Sequence, residues 1–316
     1  MDLMSAKKLV YRKGNKKGMK LHLIFDFNHM FYKYKFRLEK GSLRKLSYDD
    51  KDISYIYYNL RDIEQARKKY EKLGYNVYVH ICLDSKTKRK DENKEYKATR
   101  ENRLTEENFN DMHETAELLR SAGYDVEKAE GFEADDIIWT LVNTIPRDEA
   151  VVIYTNDSDV TVNVNTNVIV ELYNSMKGSQ EVTMKNFEEF MQTKFKSELF
   201  TYNQIVLYKC LVGDKADNVK GVTRFGVKAF DRLLWSMRDL ISGHENLCSN
   251  YEYVKAFLNR AENLGYLSKE QLQEALDSLE LVIPREVEEL ELKYMKSTHD
   301  TREKAYSKYE MVSLYE

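Results

Sequence analysis

Three carboxylates stand within four positions in the stretch GFEADDIIW, residues 131–139. Glu133, Asp135 and Asp136 come directly before an apolar run. Acids in the first turn of a helix interact favourably with the helix dipole, so this stretch by itself predicts a helix start. Like charges this close repel each other, and burying them is costly unless a positive group compensates. No arginine stands beside them in the local sequence.

Further acids follow the apolar runs that predict strands. LHLIFDF carries Asp26 near its end, YNVYVHICLD ends at Asp84, and AVVIYTND ends at Asp157, with Asp159 two residues later. A single acid after a strand is usually a turn residue. The carboxyl ends of parallel strands, however, share one edge of a sheet, and ligands bind in the crevice there. We therefore expect these acids and those of GFEADD to crowd a single edge.

This crowding implies a bound cation. Carboxylate oxygens without cysteine or histidine partners favour hard ions such as Mg²⁺ or Mn²⁺ over Zn²⁺. The six histidines are scattered and form no metal-binding pair. The acids exceed what one ion needs, so we expect two divalent ions, an arrangement that suits in-line phosphodiester hydrolysis.

The stretch LVGDKADNVKGVTRFGVKAF, residues 211–230, carries a second group of acids beside a turn. Asp214 and Asp217 precede two glycines, Gly221 and Gly226, which bracket a tight hairpin between helices. Such a hairpin exposes backbone N–H groups that can hold a phosphate without reading sequence. Positive side chains surround it: Lys215, Lys220, Arg224 and Lys228.

The segment SKTKRKDENKEYKATRENR, residues 85–103, has eight lysines or arginines against four acids. Tyr96 is the one side chain in it that could anchor the segment to a core. A solvated loop is one interpretation. Because the segment directly follows Asp84, a mobile basic segment that grips a phosphate backbone is the other.

The elements that position these residues alternate between strand and helix up to about residue 195, and helices follow. This pattern predicts an α/β fold with a mostly parallel sheet covered by helices on both faces. Residues 1–20 form a basic tail without a secretory signal, and no apolar run is long enough to span a membrane. Three widely spaced cysteines indicate a reducing, cytoplasmic setting. The net charge of −3 does not exclude nucleic-acid binding, since the distribution of charge matters more.

Six motifs in combination resemble the flap endonuclease/5′-3′ exonuclease family, as found in phages and in bacterial DNA polymerase I. The motifs are IFDFN (24–28), CLD (82–84), EYKATR (95–100), GFEADD (131–136), TNDSD (155–159) and VGDKADNVKGV (212–222). The resemblance implies a PIN-like nuclease domain over residues 21–195 with an arch or clamp at about 85–105. It also implies a helical DNA-binding region over 196–316, with a helix-hairpin-helix-type motif at about 212–230.

The resemblance also implies roles for individual residues. Lys97 matches the arch lysine that contacts the scissile phosphate, and Arg100 matches its basic partner. The two lie three residues apart, so one helical face would present both once the arch becomes ordered. Together with Asp84 and Asp157 they form the expected catalytic set. The expected metal ligands are Asp26, Asp84, Glu133, Asp135, Asp136, Asp157, Asp159, Asp214 and Asp217, with Asp214 acting through water. The expected nucleic-acid contacts are Lys33, Tyr96 (stacking on a base), Lys97, Arg100, Lys220, Gly221, Arg224, Gly226 and Lys228.

The implied function is a divalent-metal-dependent 5′ nuclease that acts at 5′ ends, flaps and junctions of DNA, or on RNA primers in RNA–DNA hybrids. The enzyme is expected to be a monomer that works with replication proteins, of viral or bacterial origin. A potassium ion at the hairpin also follows from the resemblance, but Arg224 stands where the family often has glycine, which argues against it. Ser158 likewise replaces a common glycine. The alternatives are a PIN-like single-stranded ribonuclease and a catalytically silent junction-binding protein.

Overall fold

The computed structural model describes residues 17–99, 105–174, 178–197, 204–241, 249–311 and 314. Its strands are β1 (Lys20–Asp26), β2 (Ser47–Tyr48), β3 (Lys51–Asp52), β4 (Asn76–Leu83), β5 (Asp125–Lys128), β6 (Ala150–Thr155), β7 (Val168–Asn174) and β8 (Gly178–Val182). Six of them form one sheet in the order β5-β4-β1-β6-β7-β8, and β2 pairs with β3. All neighbours in the large sheet are parallel except β7 and β8, which form an antiparallel pair.

Helices cover both faces of this sheet, as the sequence predicted. They are α1 (Phe27–Glu39), α2 (Ser54–Glu71), α3 (Lys88–Glu92), α4 (Glu106–Ser121), α5 (Ala134–Thr144), α6 (Phe187–Phe195), α7 (Ile205–Val212), α8 (Val227–Ser236), α9 (Arg238–Ile241), α10 (Tyr251–Asn263), α11 (Lys269–Val282) and α12 (His299–Tyr306). One core lies between the sheet and α1, α2, α4 and α12. The other lies between the sheet and α5, α7, α8, α10 and α11.

Strand β1 shows how the sequence sets up these two cores. Leu21, Leu23 and Phe25 belong to the first core, whereas Ile24 belongs to the second. Successive side chains of a strand point to opposite faces, and a parallel strand buried on both faces therefore carries apolar residues almost continuously. Between its polar ends, Lys20 and Asp26, the strand carries one polar side chain, that of His22, which is buried in the sheet.

The chain after residue 204 is helical, but the core does not divide at the predicted boundary near residue 195. Ile24 of the sheet lies in the same apolar cluster as Leu279 of α11. Residues 284–298, which we call the C-terminal strap, have no regular secondary structure and lead to α12, which packs on α4. Tyr306 of α12 is buried and donates a 2.7 Å hydrogen bond to Glu64 of α2. The C-terminal region therefore returns to the α/β part of the molecule.

Two further expectations concern the ends of the chain and membranes. Of the predicted basic tail, residues 1–16 lie outside the described residues, and Lys20 already belongs to β1. Among the described helices, none combines the length and the apolar character needed to cross a bilayer.

Candidate metal centre

Acids from three parts of the chain meet at the carboxyl edge of the sheet. Asp26 is the last residue of β1 and is almost fully buried, and one of its oxygens accepts a 2.7 Å hydrogen bond from the Thr155 hydroxyl at the end of β6. Asp84 directly follows β4 and accepts a 2.8 Å hydrogen bond from the Ala134 N–H at the start of α5. The predicted helix start at GFEADD therefore faces the strand-end acids.

The electrostatics of this edge show unbalanced negative charge. Burial, together with Asp157 and Asp26, raises the pKa of Asp135 well above its usual value. Burial and the neighbouring Asp26 also raise the pKa of Asp84. These shifts mean that the ionised carboxylates destabilise one another, so a cation at this edge would be strongly favoured.

His29 of α1 also lies at this edge, although the sequence analysis gave the scattered histidines no role in the site. Its Nε2 lies 4.0 Å from an Asp26 oxygen and 3.8 Å from an Asp157 oxygen. Burial would raise the pKa of Asp157, but His29, the backbone N–H of Asp159 and Lys209 together lower it. The position of His29, three residues after Asp26 in a helix that Asp26 caps, was the available signal.

A second acid group contains Asp159, Asp214 and Asp217. One carboxylate oxygen from each lies within 4.8 Å of the others, a spacing that could hold a metal ion. The buried Lys209 of α7 donates hydrogen bonds to Asp159 and, at 2.6 Å, contacts Asp214. Burial and Asp157 raise the pKa of Asp159 to about 6. Lys209 was not among the predicted site residues. The available signal was its position as a lone charged residue within the apolar run IVLYKCLV.

Glu133 connects the two groups through the basic segment. It accepts hydrogen bonds from Lys97 at 2.6 Å, from the Tyr96 hydroxyl at 3.1 Å and from Arg89 at 3.2 Å. Burial would raise the pKa of Glu133, but Lys97 and Arg89 outweigh it and lower the pKa. The backbone N–H of Lys97 donates to the Asp217 carbonyl at 2.9 Å. The predicted catalytic lysine therefore lies between both acid groups.

Asp136 does not join these acids, which contradicts the prediction that it is a metal ligand. Its two oxygens accept hydrogen bonds from Arg89 at 2.7 and 2.8 Å, and the backbone N–H groups of Glu133 and Arg285 donate to it as well. A carboxylate engaged in this way has no oxygen free for an ion. The arginine that the local sequence lacks comes from 47 positions earlier in the chain.

The described part of the basic segment, residues 85–99, is largely exposed but is anchored to the protein by a few buried side chains. Arg89 and Tyr96 are both buried, and Tyr96 contacts Val219 and Leu281. Tyr96 is therefore not available in this structure for the base stacking that the sequence predicted. Lys97 has a φ of 53° and lies in a turn, so the chain is not helical here, and the helical face shared with Arg100 in an ordered arch stays a prediction. Arg100 itself lies outside the described residues, and the arch stays a prediction.

The hairpin at residues 212–226 has a tightly closed backbone. Gly221 is buried with a φ of 66°, and a Cβ added to it would lie 2.4 Å from the Gly213 nitrogen. The lack of a side chain at Gly221 therefore permits this close packing, and its phosphate contact stays a prediction. Arg224 adopts a φ of 63°, so it keeps the left-handed backbone that glycine favours. Arg224 and Lys228 are exposed, as a contact with nucleic acid requires, and so is Gly226, the N-cap of α8.

Two more predicted nucleic-acid contacts are engaged within the protein. Lys33 of α1 was expected to contact a strand end. It lies 2.5 Å from Asp62 of α2 and 3.9 Å from the centre of the Tyr173 ring. Lys220 is largely exposed and forms a 2.8 Å ion pair with Glu95 of the basic segment.

Sequence comparison finds relatives described as DNA polymerase I and as 5′-3′ exonuclease. A DNA polymerase I of Caldicellulosiruptor bescii is 28% identical over 255 residues, which are 79% of this chain and 28% of that protein. A 5′-3′ exonuclease of Mycoplasmopsis pulmonis is 26% identical over 205 residues, covering 65% of this chain and 61% of that protein. The chain therefore spans less than two thirds of the length of these relatives.

A crystal structure of the T5 D15 protein co-crystallised with metal ions superimposes with a TM-score of 0.54 at 16% identity, covering 94% of this chain and 100% of the other. The bacteriophage T5 D15 flap endonuclease in complex with DNA and metal ions gives 0.52 over 83% of this chain and 99% of the other. At this identity the likeness shows a shared fold. The sequence model described as 5′-3′ exonuclease, N-terminal resolvase-like domain, matches residues 20–196. Because that match takes in more than half of the chain, the protein belongs to this 5′-3′ exonuclease family, which confirms the resemblance drawn from the six motifs.

Proposed function

We propose that this protein is a divalent-metal-dependent 5′ nuclease that hydrolyses phosphodiester bonds at 5′ ends, flaps and junctions of DNA. The observation that carries this proposal is the group of acids at the carboxyl edge of the sheet. Desolvation and the neighbouring Asp26 raise the pKa of Asp84, and desolvation together with Asp157 and Asp26 raises the pKa of Asp135. The half-buried Lys97 lies beside them, with its amine bonded to Glu133. Family membership and the relatives described as 5′-3′ exonucleases support the same activity.

The donor set fits two hard cations, with Mg²⁺ as the proposed ion and Mn²⁺ as its substitute. Asp26, Asp84, Asp135 and Asp157 would hold one ion. Asp159, Asp214 and Asp217 would hold the second, once Lys209 gives up its contacts with them. When bound, these ions would supply activation of the attacking water and neutralisation of the phosphate charge.

The side chains of the protein have their own part in this reaction. Water adds to phosphorus and the bond to the 3′ oxygen breaks, which leaves a 5′-phosphate and a 3′-hydroxyl. Lys97 can exchange its contact with Glu133 for a phosphoryl oxygen and so stabilise negative charge in the transition state. Arg224 and Lys228, exposed on the hairpin and at the start of α8, are positioned to contact backbone phosphates of a duplex.

The test is cleavage of a labelled 5′-flap duplex during a Mg²⁺ titration, with the product ends mapped. We expect metal-dependent cleavage near the junction, and Asp84→Asn should abolish it while junction binding persists. Cleavage of the RNA strand in an RNA–DNA hybrid measures whether the protein also removes RNA primers. Faster cleavage of single-stranded RNA would favour the ribonuclease alternative, and junction binding without any cleavage would favour a silent binding protein. Undiminished cleavage by Asp84→Asn would refute the proposed site.

A further inference from the structure

A pocket of about 300 Å³ opens beside the strand-end acids, between α1, α2 and strands β6 to β8. It shares two residues with the acid edge. Thr155 lines the pocket and donates its hydroxyl to Asp26, and His29 lines it while its Nε2 lies 3.8 Å from Asp157. A molecule in this pocket would therefore lie directly next to whatever the acids bind.

The wall of this pocket suits a flat aromatic group. Phe25 and Tyr154 line it and stack on each other with ring centres 4.8 Å apart. Tyr173 also lines the pocket, with the Lys33 amine 3.9 Å from its ring centre. Aromatic rings and cations of this kind stack on nucleobases without sequence preference.

The charges within the pocket are paired with each other. Lys33 lies 2.5 Å from Asp62, and Lys69 lies 4.0 Å from Glu171. An isolated phosphate would have to compete with these carboxylates, so the pocket itself does not favour one. An uncharged ring avoids that competition. The exposed amides of Gln65 and Asn156 line the same pocket and can bond the polar edge of a base.

We propose that this pocket receives the base of the nucleotide next to the cleaved bond and retains the released 5′-deoxymononucleotide. The inference rests on the proposed nuclease function, because that function brings a phosphate to the adjacent acids. The volume is near the lower end of the range for ligand pockets, roughly 300–1,000 Å³, which suits a single nucleoside. The chemical class of the ligand is therefore a mononucleotide, recognised mainly through its base.

The test uses dAMP as the probe and measures its binding to the full chain by calorimetry in EDTA. Under these conditions no cleavage occurs and no metal can hold the phosphate. We expect dissociation constants below about 1 mM for dAMP, and at least tenfold weaker binding of deoxyribose 5-phosphate, which lacks the base.

Strand β8 offers a matched pair of variants. Ser179 lines the pocket, and its neighbour Gln180 is equally exposed but points to the opposite face of the strand. Ser179→Trp should weaken dAMP binding at least tenfold and remove inhibition of flap cleavage by added dAMP. Gln180→Trp should keep both, and unfolding midpoints of the two variants check that each is folded.

Three outcomes would overturn the pocket assignment. They are absence of dAMP binding to the wild type, equal binding by Ser179→Trp and the wild type, and equal binding of dAMP and the sugar phosphate. Flap cleavage by a wild type that does not bind dAMP would contradict the pocket alone. Binding of dAMP that Ser179→Trp disrupts, in a protein that cleaves no flap substrate, would contradict the nuclease proposal alone.

Discussion

Lys97 is linked to both acid groups, because its side chain bonds Glu133 and its backbone N–H bonds the carbonyl of Asp217. It lies between two groups of acids that would each hold an ion, where a phosphate has to arrive. A positive charge fixed at this point stabilises the transition state more than the ground state. Its contribution should therefore appear in the rate of cleavage and much less in the affinity for DNA.

Lys97→Ala should lower the single-turnover rate of flap cleavage by about 100-fold or more, the typical effect of removing one transition-state donor. Flap affinity should change by less than about tenfold, because the other basic residues remain. Lys94→Ala is the matched control, since it removes the same charge from an exposed position three residues earlier. An unchanged single-turnover rate for Lys97→Ala would exclude the proposed role.

The two neighbouring aspartates of α5 should respond in opposite ways to neutralisation. Asp136 is held by Arg89 and two backbone N–H groups, whereas burial and the other acids raise the pKa of Asp135. In EDTA, Asp136→Asn should lower the free energy of unfolding by about 3–5 kcal/mol, the usual cost of breaking a buried ion pair.

Asp135→Asn should instead leave the unfolding free energy in EDTA unchanged or increase it, since it removes an unfavourable buried charge. Urea unfolding of both variants measures this contrast. Equal losses of stability in the two variants would mean that Asp135 is also a structural residue. Asp135→Asn should, in turn, abolish cleavage in Mg²⁺.

At the scale of elements, the strand-end acids could be predicted because local patterns determine them. Asp26, Asp84 and Asp157 each follow an apolar run, and parallel strands bring such positions together at one edge. The partners of Asp136 and Asp159 could not be predicted in this way. Arg89 and Lys209 are separated from them by 47 and 50 positions, and only the tertiary fold brings α3 and α7 to these acids.

The different roles of the two hairpin glycines could not be predicted from local sequence either. Sequence motifs marked Gly221 and Gly226 as equivalent phosphate contacts, but their surroundings differ. Gly221 has a φ of 66° and would place a Cβ 2.4 Å from a backbone nitrogen, whereas nothing lies within 4 Å of a Cβ at Gly226. The distinction depends on the approach of residue 213, which no local pattern reveals.

Gly221→Ala should therefore destabilise the fold by about 1–3 kcal/mol or more through overpacking and backbone strain. Gly226→Ala should cost less than about 1 kcal/mol, because alanine is only a slightly poorer N-cap there. Urea unfolding midpoints measure both changes, and flap binding by Gly221→Ala should weaken with the distortion of the hairpin. Equal midpoints for the two variants would contradict the close approach of Gly213 and Gly221.

At the scale of the whole molecule, a buried row of polar side chains crosses the three neighbouring strands β5, β4 and β1, ends at Glu149 just before β6, and meets the C-terminal strap. Glu149, His22, His80 and Asp125 are joined in this order by contacts of 2.7, 2.9 and 3.0 Å. The strap covers the row from outside. Tyr294 donates a 3.0 Å hydrogen bond to Glu149, and Lys293 lies 3.4 Å from Asp125. Lys20 also contacts Glu149, at 2.8 Å.

Burial and the neighbouring His80 lower the pKa of His22 to about 4, although Glu149 acts in the opposite direction. An unfolded His22 takes up its proton near its usual pKa of 6.5. Between these two values the unfolded chain binds more protons than the folded one, so the stability of the fold increases with pH in this range. The contribution of the neutral, buried His22 to the stability of the fold is complete above pH 6.5 and is lost as the pH falls towards 4.

The wild type should lose up to about 3 kcal/mol of unfolding free energy from this group on acidification through that window. Other groups titrate there too, and burial raises the pKa of Asp111 to about 6 with the opposite effect on stability. The measurement is therefore the difference between wild type and His22→Gln in urea unfolding at pH 7, 6, 5 and 4. His22→Gln should flatten the dependence of the unfolding free energy on pH, whereas the exposed control His113→Gln should keep it.

Because the row lies beneath the strap, increased amide hydrogen exchange at residues 293 and 294 should accompany the loss of stability in the wild type. Parallel slopes for wild type and His22→Gln would show that the row does not link the strap to the sheet through protonation.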